Sequence, residues 1–341
     1  MSTWNDGADG PPGDQWVPDE LLAGYDYLSL HLADPVLAAG EPADTQVSAG
    51  LMRRNPPRRR RAVLYLHGWS DYFFQTWLAD YFDEQGFDFY ALELRRYGRD
   101  LREGQLGGYT TDLTEYYEEI DLAFDLLGRD HDTITLMGHS TGGLVASLWA
   151  HERPGRAHGL ILNSPWLDFQ GSPVLRSAAA MLAKSVVKDV NRAARTIPLP
   201  DSNTYLRSIH SSMDGEWDFD LSIKRNPAFT IRPGWLTAIA VGHERVRAGL
   251  EIDTPVLAML SRRSDFKRTW HDGQMTADTV LDVHKLARRC HQLGPNVTIV
   301  RINDGLHDLV LSRSDVRAEV FDSMTRWMRA WLPEKVLDVE A

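Results

Sequence analysis

Cysteine is almost missing from this sequence: Cys290 stands alone among 341 residues. That excludes an internal disulfide framework and any cysteine-cluster metal site, and it leaves a reducing compartment unopposed. Its setting, VHKLARRCHQL, has helical spacing, so Cys290 is read as a packing residue. Long apolar runs are missing too. Nothing approaches the ~18 consecutive apolar residues of a membrane span. The opening MSTWNDGADGPPGDQ is acidic and rich in glycine and proline, without the basic start and apolar run of a secretion signal. Residues 1–18 are expected to form a flexible tail and the protein to be cytoplasmic. Positive charge is in deficit: 37 Lys and Arg against 48 Asp and Glu leave a net charge of −11. Nothing in that balance favours nucleic acid or an anionic membrane surface as a partner. The one basic run, RRNPPRRRR at 53–61, contains prolines and directly precedes an apolar strand, which makes it an exposed turn. Internal repeats are absent.

What is present is a rhythm of short apolar runs. YDYLSLHL and TQVSAGLMR alternate as half-buried strands do, and suggest an antiparallel opening to a sheet. RAVLYLHG, FDFYALELR, DTITLMGHS, AHGLILNSP, TPVLAML and NVTIVRIN follow as continuous β-branched or aromatic runs, most of them separated by helical spacing. Continuous apolar strands alternating with helices imply a parallel sheet covered on both faces. The helical candidates are FFQTWLADYFDEQ, TEYYEEIDLAFDLL, TGGLVASLWAHE, LDVHKLARRCHQL and DVRAEVFDSMTRWMRAWL. Between LILNSPW and TPVLAML lie nearly ninety residues without a convincing strand. Within them VLRSAAAMLAKSVVKDV puts Leu175, Ala178, Ala179, Leu182 and Val186 on one helical face. A segment this long inside an α/β sheet is usually functional, so a cap over a site is expected.

TITLMGHSTGGLVASLWA carries Gly138, Ser140 and Gly142 as G-x-S-x-G between a strand and a helix. A tight strand-to-helix turn forces the serine into a strained conformation, and its flanks must lack bulk for the turn to close. Ser140 then stands at the carboxyl end of the strand, with the helix N-terminus beneath it favouring developing negative charge. A serine hydroxyl is a poor nucleophile until a base takes its proton. Of the 12 histidines, His307 in VRINDGLHDLVLS directly follows a β-branched strand and opens a loop before the last helix, within reach of the top of the sheet. His139, next to the serine, points away from it in such a turn, and His67 in YLHGWSD is structural. Attack on a carbonyl produces an oxyanion, which needs two preorganised N–H donors. Thr141 supplies one backbone N–H and Trp69, after YLHG, the other. No pair of histidines stands with a carboxylate in a metal-binding pattern, so neither metal nor cofactor is expected.

LYLHGWSDYFFQTWLADYF, ALELRRYGRDL, GHSTGGL and GLHD, in this order, resemble the α/β-hydrolase superfamily, and within it the monoacylglycerol lipase, lysophospholipase and serine aminopeptidase-like group. The similarity runs over roughly residues 45–332. It implies the chain order Ser, Asp, His, a mostly parallel eight-stranded sheet flanked by helices, and a helical cap inserted after the sixth strand. SPWLDF and the stretch from NPAFTIRPGW to TPVLAML resemble the group's cap boundaries. The core is then 19–165 and 250–341, and the cap 166–249. In this group the acid follows the seventh strand and lies about thirty residues before the histidine.

Four aspartates compete for that role in SDFKRTWHDGQMTADTVLD: Asp265, Asp272, Asp278 and Asp282. Asp278 precedes His307 by 29 residues and opens an acid-turn-helix pattern, whereas Asp265 is nearer the strand end. Asp278 is preferred, with Asp265 the alternative; Asp282 suits a helix N-cap and Asp272 a turn. The preference makes FKRTWHDGQMTA an extra excursion. A further departure is HGWSDY, where lipases of the group often continue Gly-Glu-His. The implied activity is cleavage of carboxylic esters through an acyl-enzyme by Ser140, His307 and Asp278. Trp166, Trp217 and Trp235 in the cap suggest a small-molecule apolar acyl ester such as a monoacylglycerol or lysophospholipid. Membrane contact would then be transient and made through the cap. The alternative is a non-catalytic protein binding a ligand or partner on the same fold.

Overall fold

In the computed structural model, residues 15–33, 35–169, 189–197, 203–267 and 269–332 are described. The helix expected through Leu175, Ala178, Ala179, Leu182 and Val186 lies outside them. All eight strands read from the sequence form: β2 (Asp26–His31), β3 (Ser48–Arg53), β4 (Arg61–Leu66), β5 (Asp88–Glu93), β6 (Thr133–His139), β7 (Gly159–Asn163), β8 (Val256–Ser261) and β9 (Val297–Ile302). A ninth, β1 (Val17–Pro18), precedes them. The sheet therefore has nine strands rather than eight, in the order β1-β2-β3-β5-β4-β6-β7-β8-β9. Pairings up to β3–β5 are antiparallel and those from β5–β4 to β8–β9 parallel.

The extra strand has a physical reason. Val17 and Pro18 pair with Tyr27 and Asp26, while the Arg53 guanidinium sits 4.0 Å over the Trp16 ring. One aromatic anchor thus carries the end of the expected tail onto the sheet edge.

Strand side chains alternate between two apolar layers. Leu64, Leu136 and Leu160 face helices α2 (Tyr117–Leu127) and α3 (Thr141–Glu152), through Ile120, Phe124, Leu144 and Leu148. Val63, Tyr65, Met137 and Ile161 face the opposite way, against Leu78 and Phe82 of α1 (Thr76–Glu84) and Val320, Met324 and Trp327 of the C-terminal helix Ser314–Trp331. Both faces are covered, as continuous apolar strands require. Among the described residues no helix is long and apolar enough to cross a membrane.

The connection from β7 to β8 contributes no strand to the sheet among its described residues. It holds a short helix at Thr204–Ile209 and a long one at Pro233–Ala248. The second was not among the sequence candidates, although Pro233 at its first turn is a start signal and Trp235, Ala238, Ile239, Gly242 and Val246 give it one buried face. Cys290 is fully buried at the end of the helix Val283–Cys290, and burial pushes its thiol up to about 12.

Candidate active site

β6 ends at His139, and the chain turns at once into α3. Ser140 forms that turn with φ 52° and ψ −115°, a region costing an L-residue about 1–3 kcal/mol. The glycines let the turn close: a Cβ on Gly138 would lie 2.6 Å from the Gly142 oxygen, and one on Gly142 only 2.3 Å from the His67 oxygen. The Ser140 N–H donates to the Asn163 carbonyl at 3.1 Å, and the Ser140 carbonyl accepts from Trp166 N at 2.9 Å, so the end of β7 holds the turn from outside.

The structure brings three of the expected residues together. Ser140 Oγ donates to His307 Nε2 at 3.0 Å, and His307 Nδ1 donates to Asp278 Oδ2 at 2.9 Å. All three are buried, Asp278 completely. The other carboxylate oxygen of Asp278 accepts from Val280 N at 2.8 Å and Leu281 N at 2.7 Å, which fixes its orientation.

The loop that carries Asp278 is the expected excursion, and its base is pinched shut. Ser264 and Asp278 form an isolated bridge, Asp265 N donates to the Asp278 carbonyl at 2.9 Å, and Asp278 N donates to the Arg263 carbonyl at 3.0 Å. The chain therefore leaves the strand end, makes its detour and returns to the same place with Asp278. Asp265 faces the detour instead: it pairs with His271 at 3.0 Å and accepts from Lys267 N at 3.1 Å. Asp272 opens a single turn, and Asp282 caps its helix by accepting from His284 N and Lys285 N.

The turn after β4 lies against the serine. A Cβ on Gly68 would be 3.4 Å from the Ser140 Cβ. His67 Nδ1 donates to the Gly68 carbonyl at 2.8 Å and its Nε2 accepts from Leu94 N at 3.1 Å, so both ring nitrogens serve the turn. Burial drives its pKa down to about 4, keeping the ring neutral. His139 likewise spends Nδ1 on the Asn163 carbonyl. Thr141 is the first residue of α3, where the backbone N–H has no partner within the helix.

Several residues at the site had not been singled out from the sequence. Asp308 accepts from Asn163 Nδ2 at 2.6 Å and from Gln75 Nε2 at 3.3 Å, and Asn163 Oδ1 accepts from Leu309 N. This buried web ties the His307 loop to the end of β7. Tyr205, from the β7–β8 connection, stands edge-on to His307. Of the three tryptophans expected to serve a cap, Trp166 and Trp235 join the Trp69 ring, Trp235 at 3.9 Å from it. Trp217 does not: it stacks on Trp77 at 3.8 Å and donates its indole N–H to the Leu311 carbonyl.

Residues 57–323 match the model of the serine aminopeptidase S33 family. The chain belongs to that family. A 110-residue stretch of this S33 member is 32% identical to phospholipase YtpA of Bacillus subtilis, covering 32% of this chain and 41% of that protein, well under two thirds of the relative's length. Among solved structures it is similar to the monoacylglycerol lipase of Paleococcus ferrophilus, with a TM-score of 0.62 and 18% identity over 84% of this chain and 99% of that one. It is also similar to a soluble variant of the monoglyceride lipase of Saccharomyces cerevisiae in complex with a substrate analog, with a TM-score of 0.57 and 16% identity over 87% of this chain and 97% of that one. Likenesses at this level of identity establish the α/β-hydrolase fold, as the nine-stranded sheet does.

Proposed function

We propose that this S33 family member is a serine hydrolase that cleaves carboxylic esters with apolar acyl chains, of the class of monoacylglycerols and lysophospholipids. The observation that carries the reading is the unbroken hydrogen-bonded line from Ser140 Oγ through His307 to the buried Asp278 carboxylate. In the first step Ser140 Oγ bonds to the ester carbonyl carbon while its proton passes to His307 Nε2. Negative charge moves to the carbonyl oxygen, where the Trp69 and Thr141 amides receive it. The intermediate collapses, the C–O bond to the leaving group breaks, and His307 returns the proton to the departing alcohol. Water then repeats the sequence on the acyl-enzyme and releases the acid. Asp278, held by two amides, keeps His307 in the tautomer that accepts at Nε2 and stabilises the imidazolium that forms.

The aromatic group of Trp69, Trp166, Trp235 and Phe229 gives an apolar acyl chain a wall to pack on. Residues 166–249 act as a cap in this reading, and the chain needs no metal or cofactor for it. The test is labelling by a fluorophosphonate probe together with turnover of esters of graded chain length. Labelling at Ser140 and loss of both signals in Ser140→Ala are expected. A folded protein that neither labels nor turns over esters would be a binding protein on this fold.

A further inference from the structure

The turn that follows β4 is held by the cap rather than by the core alone. Ser70, between Trp69 and Asp71, has φ 51°, a left-handed conformation that costs a non-glycine residue and persists only where its surroundings impose it. Part of those surroundings comes from residues 219–229. The Ser70 hydroxyl accepts from Phe229 N at 3.1 Å, the Tyr72 hydroxyl accepts from Asp220 N at 2.9 Å, and Phe74 packs on Phe219 with centroids 4.7 Å apart. At the centre of these contacts Lys224 Nζ donates to Asp71 Oδ1 at 2.6 Å, with side-chain exposures of 7% and 1%.

Lys224 sits in an apolar seat, its ammonium 5.7–5.8 Å from the ring centroids of Phe74, Tyr205 and Phe219. An ammonium is expensive to bury, and a buried partner left alone is costlier still, by several kcal/mol in systems where it has been measured. Burial works against the ionised Asp71 carboxyl, but the Lys224 ammonium holds it below the usual carboxylate range. The pair is thus a strong tie between the cap and a residue two positions from Trp69.

We propose that Lys224 is a positioning residue for the oxyanion-binding turn: by pairing with Asp71 it holds the strained Gly68–Asp71 turn in place, so that seating of the cap and aiming of the Trp69 amide are one event. The proposal rests on the esterase reading for its catalytic consequence, but its physical core, the coupling of the two segments, does not.

The experiment compares Lys224→Met, Lys224→Arg, Asp71→Asn and the double variant Asp71→Asn/Lys224→Met with the full-length parent. Backbone hydrogen exchange of segment 67–74 is read by mass spectrometry, and kcat and KM are read on a soluble short-chain ester. Exchange at 67–74 is expected to speed up in Lys224→Met and to stay near the parent's in Lys224→Arg. Because a lost oxyanion donor costs about 10²–10³ in kcat, Lys224→Met should fall in that direction with KM little changed, Lys224→Arg should recover most of the loss, and the double variant should lose no more than either single one. Unchanged exchange at 67–74 in Lys224→Met overturns the coupling whatever the activity does. Faster exchange with unchanged kcat, or losses that simply add in the double variant, overturns the positioning role. Failure of the esterase reading itself would appear separately, as parent activity that survives Ser140→Ala or is absent altogether; exchange would then still decide the coupling.

Discussion

Tyr205 meets the His307 imidazole edge-on, with ring centroids 5.3 Å apart and planes at 81°. Its hydroxyl oxygen is buried and has no hydrogen-bond partner among the described residues. Burial, and after it the Asp308 and Asp71 carboxylates, push its ionisation well above the ordinary range, so it remains a neutral donor. An unsatisfied buried hydroxyl costs about 1–3 kcal/mol. Tyr205→Phe is therefore expected to be more stable than the parent by about 1 kcal/mol, and to bind hydroxyl-bearing leaving groups less well. Urea unfolding and KM for a monoacylglycerol check the two halves; a loss of stability would mean that the hydroxyl has a partner in solution.

The two aspartates of the excursion separate cleanly by substitution. Replacing the acid that orients a catalytic histidine lowers turnover by about 10⁴ where it has been tested. Asp278→Asn is expected to approach that loss in kcat. Asp265→Asn, which only loosens the pairing with His271, should stay within about tenfold of the parent, the range of about one lost modest hydrogen bond. Steady-state rates decide, and a larger loss for Asp265→Asn would reverse the assignment.

Acid should weaken the fold through two histidines that burial holds near 4, His67 and His243. An unfolded imidazole titrates near ~6.5. Below that pH the unfolded chain binds protons that the folded one refuses, so stability falls as pH drops from about 6.5 towards about 4. Each histidine contributes at most about 1.4 kcal/mol per pH unit. His243 Nε2 donates to the Trp166 carbonyl at 2.7 Å, which a glutamine amide can imitate. His243→Gln should flatten the pH dependence of the urea midpoint across this window; an unchanged slope would show that His243 does not contribute.

Cys290 should be silent towards thiol reagents. It is fully buried, and burial raises its pKa to about 12, leaving little thiolate at neutral pH. Alkylation by iodoacetamide is expected only as fast as the molecule unfolds, with urea accelerating it in step with loss of the near-ultraviolet signal. Labelling in the native protein would contradict the packing role.

Legibility in the sequence followed the range of the forces involved. The central strands announced themselves because residues such as Leu64 and Val63 are buried on both sides, which leaves a continuous apolar run, whereas β2 near the edge showed only half-buried alternation. Ser140 could be read from its neighbours because the turn cannot close around a Cβ at Gly142. Asp278 needed the resemblance, since spacing to His307 cannot show that the excursion folds back on itself at Ser264. The Lys224–Asp71 tie left no local trace: each residue looks like ordinary surface charge until the β7–β8 connection packs on the turn after β4. β1 was invisible for the opposite reason, being two residues held by one tryptophan.

The stacked pair of Trp77 and Trp217 clasps the β7–β8 connection to the loop that carries His307. Trp77 belongs to α1 and Trp217 to the β7–β8 connection, and their indole N–H groups both end on carbonyls of the His307 loop, at Val310 and Leu311. A displacement of Trp217 therefore strips a hydrogen bond from the loop that presents His307 to Ser140.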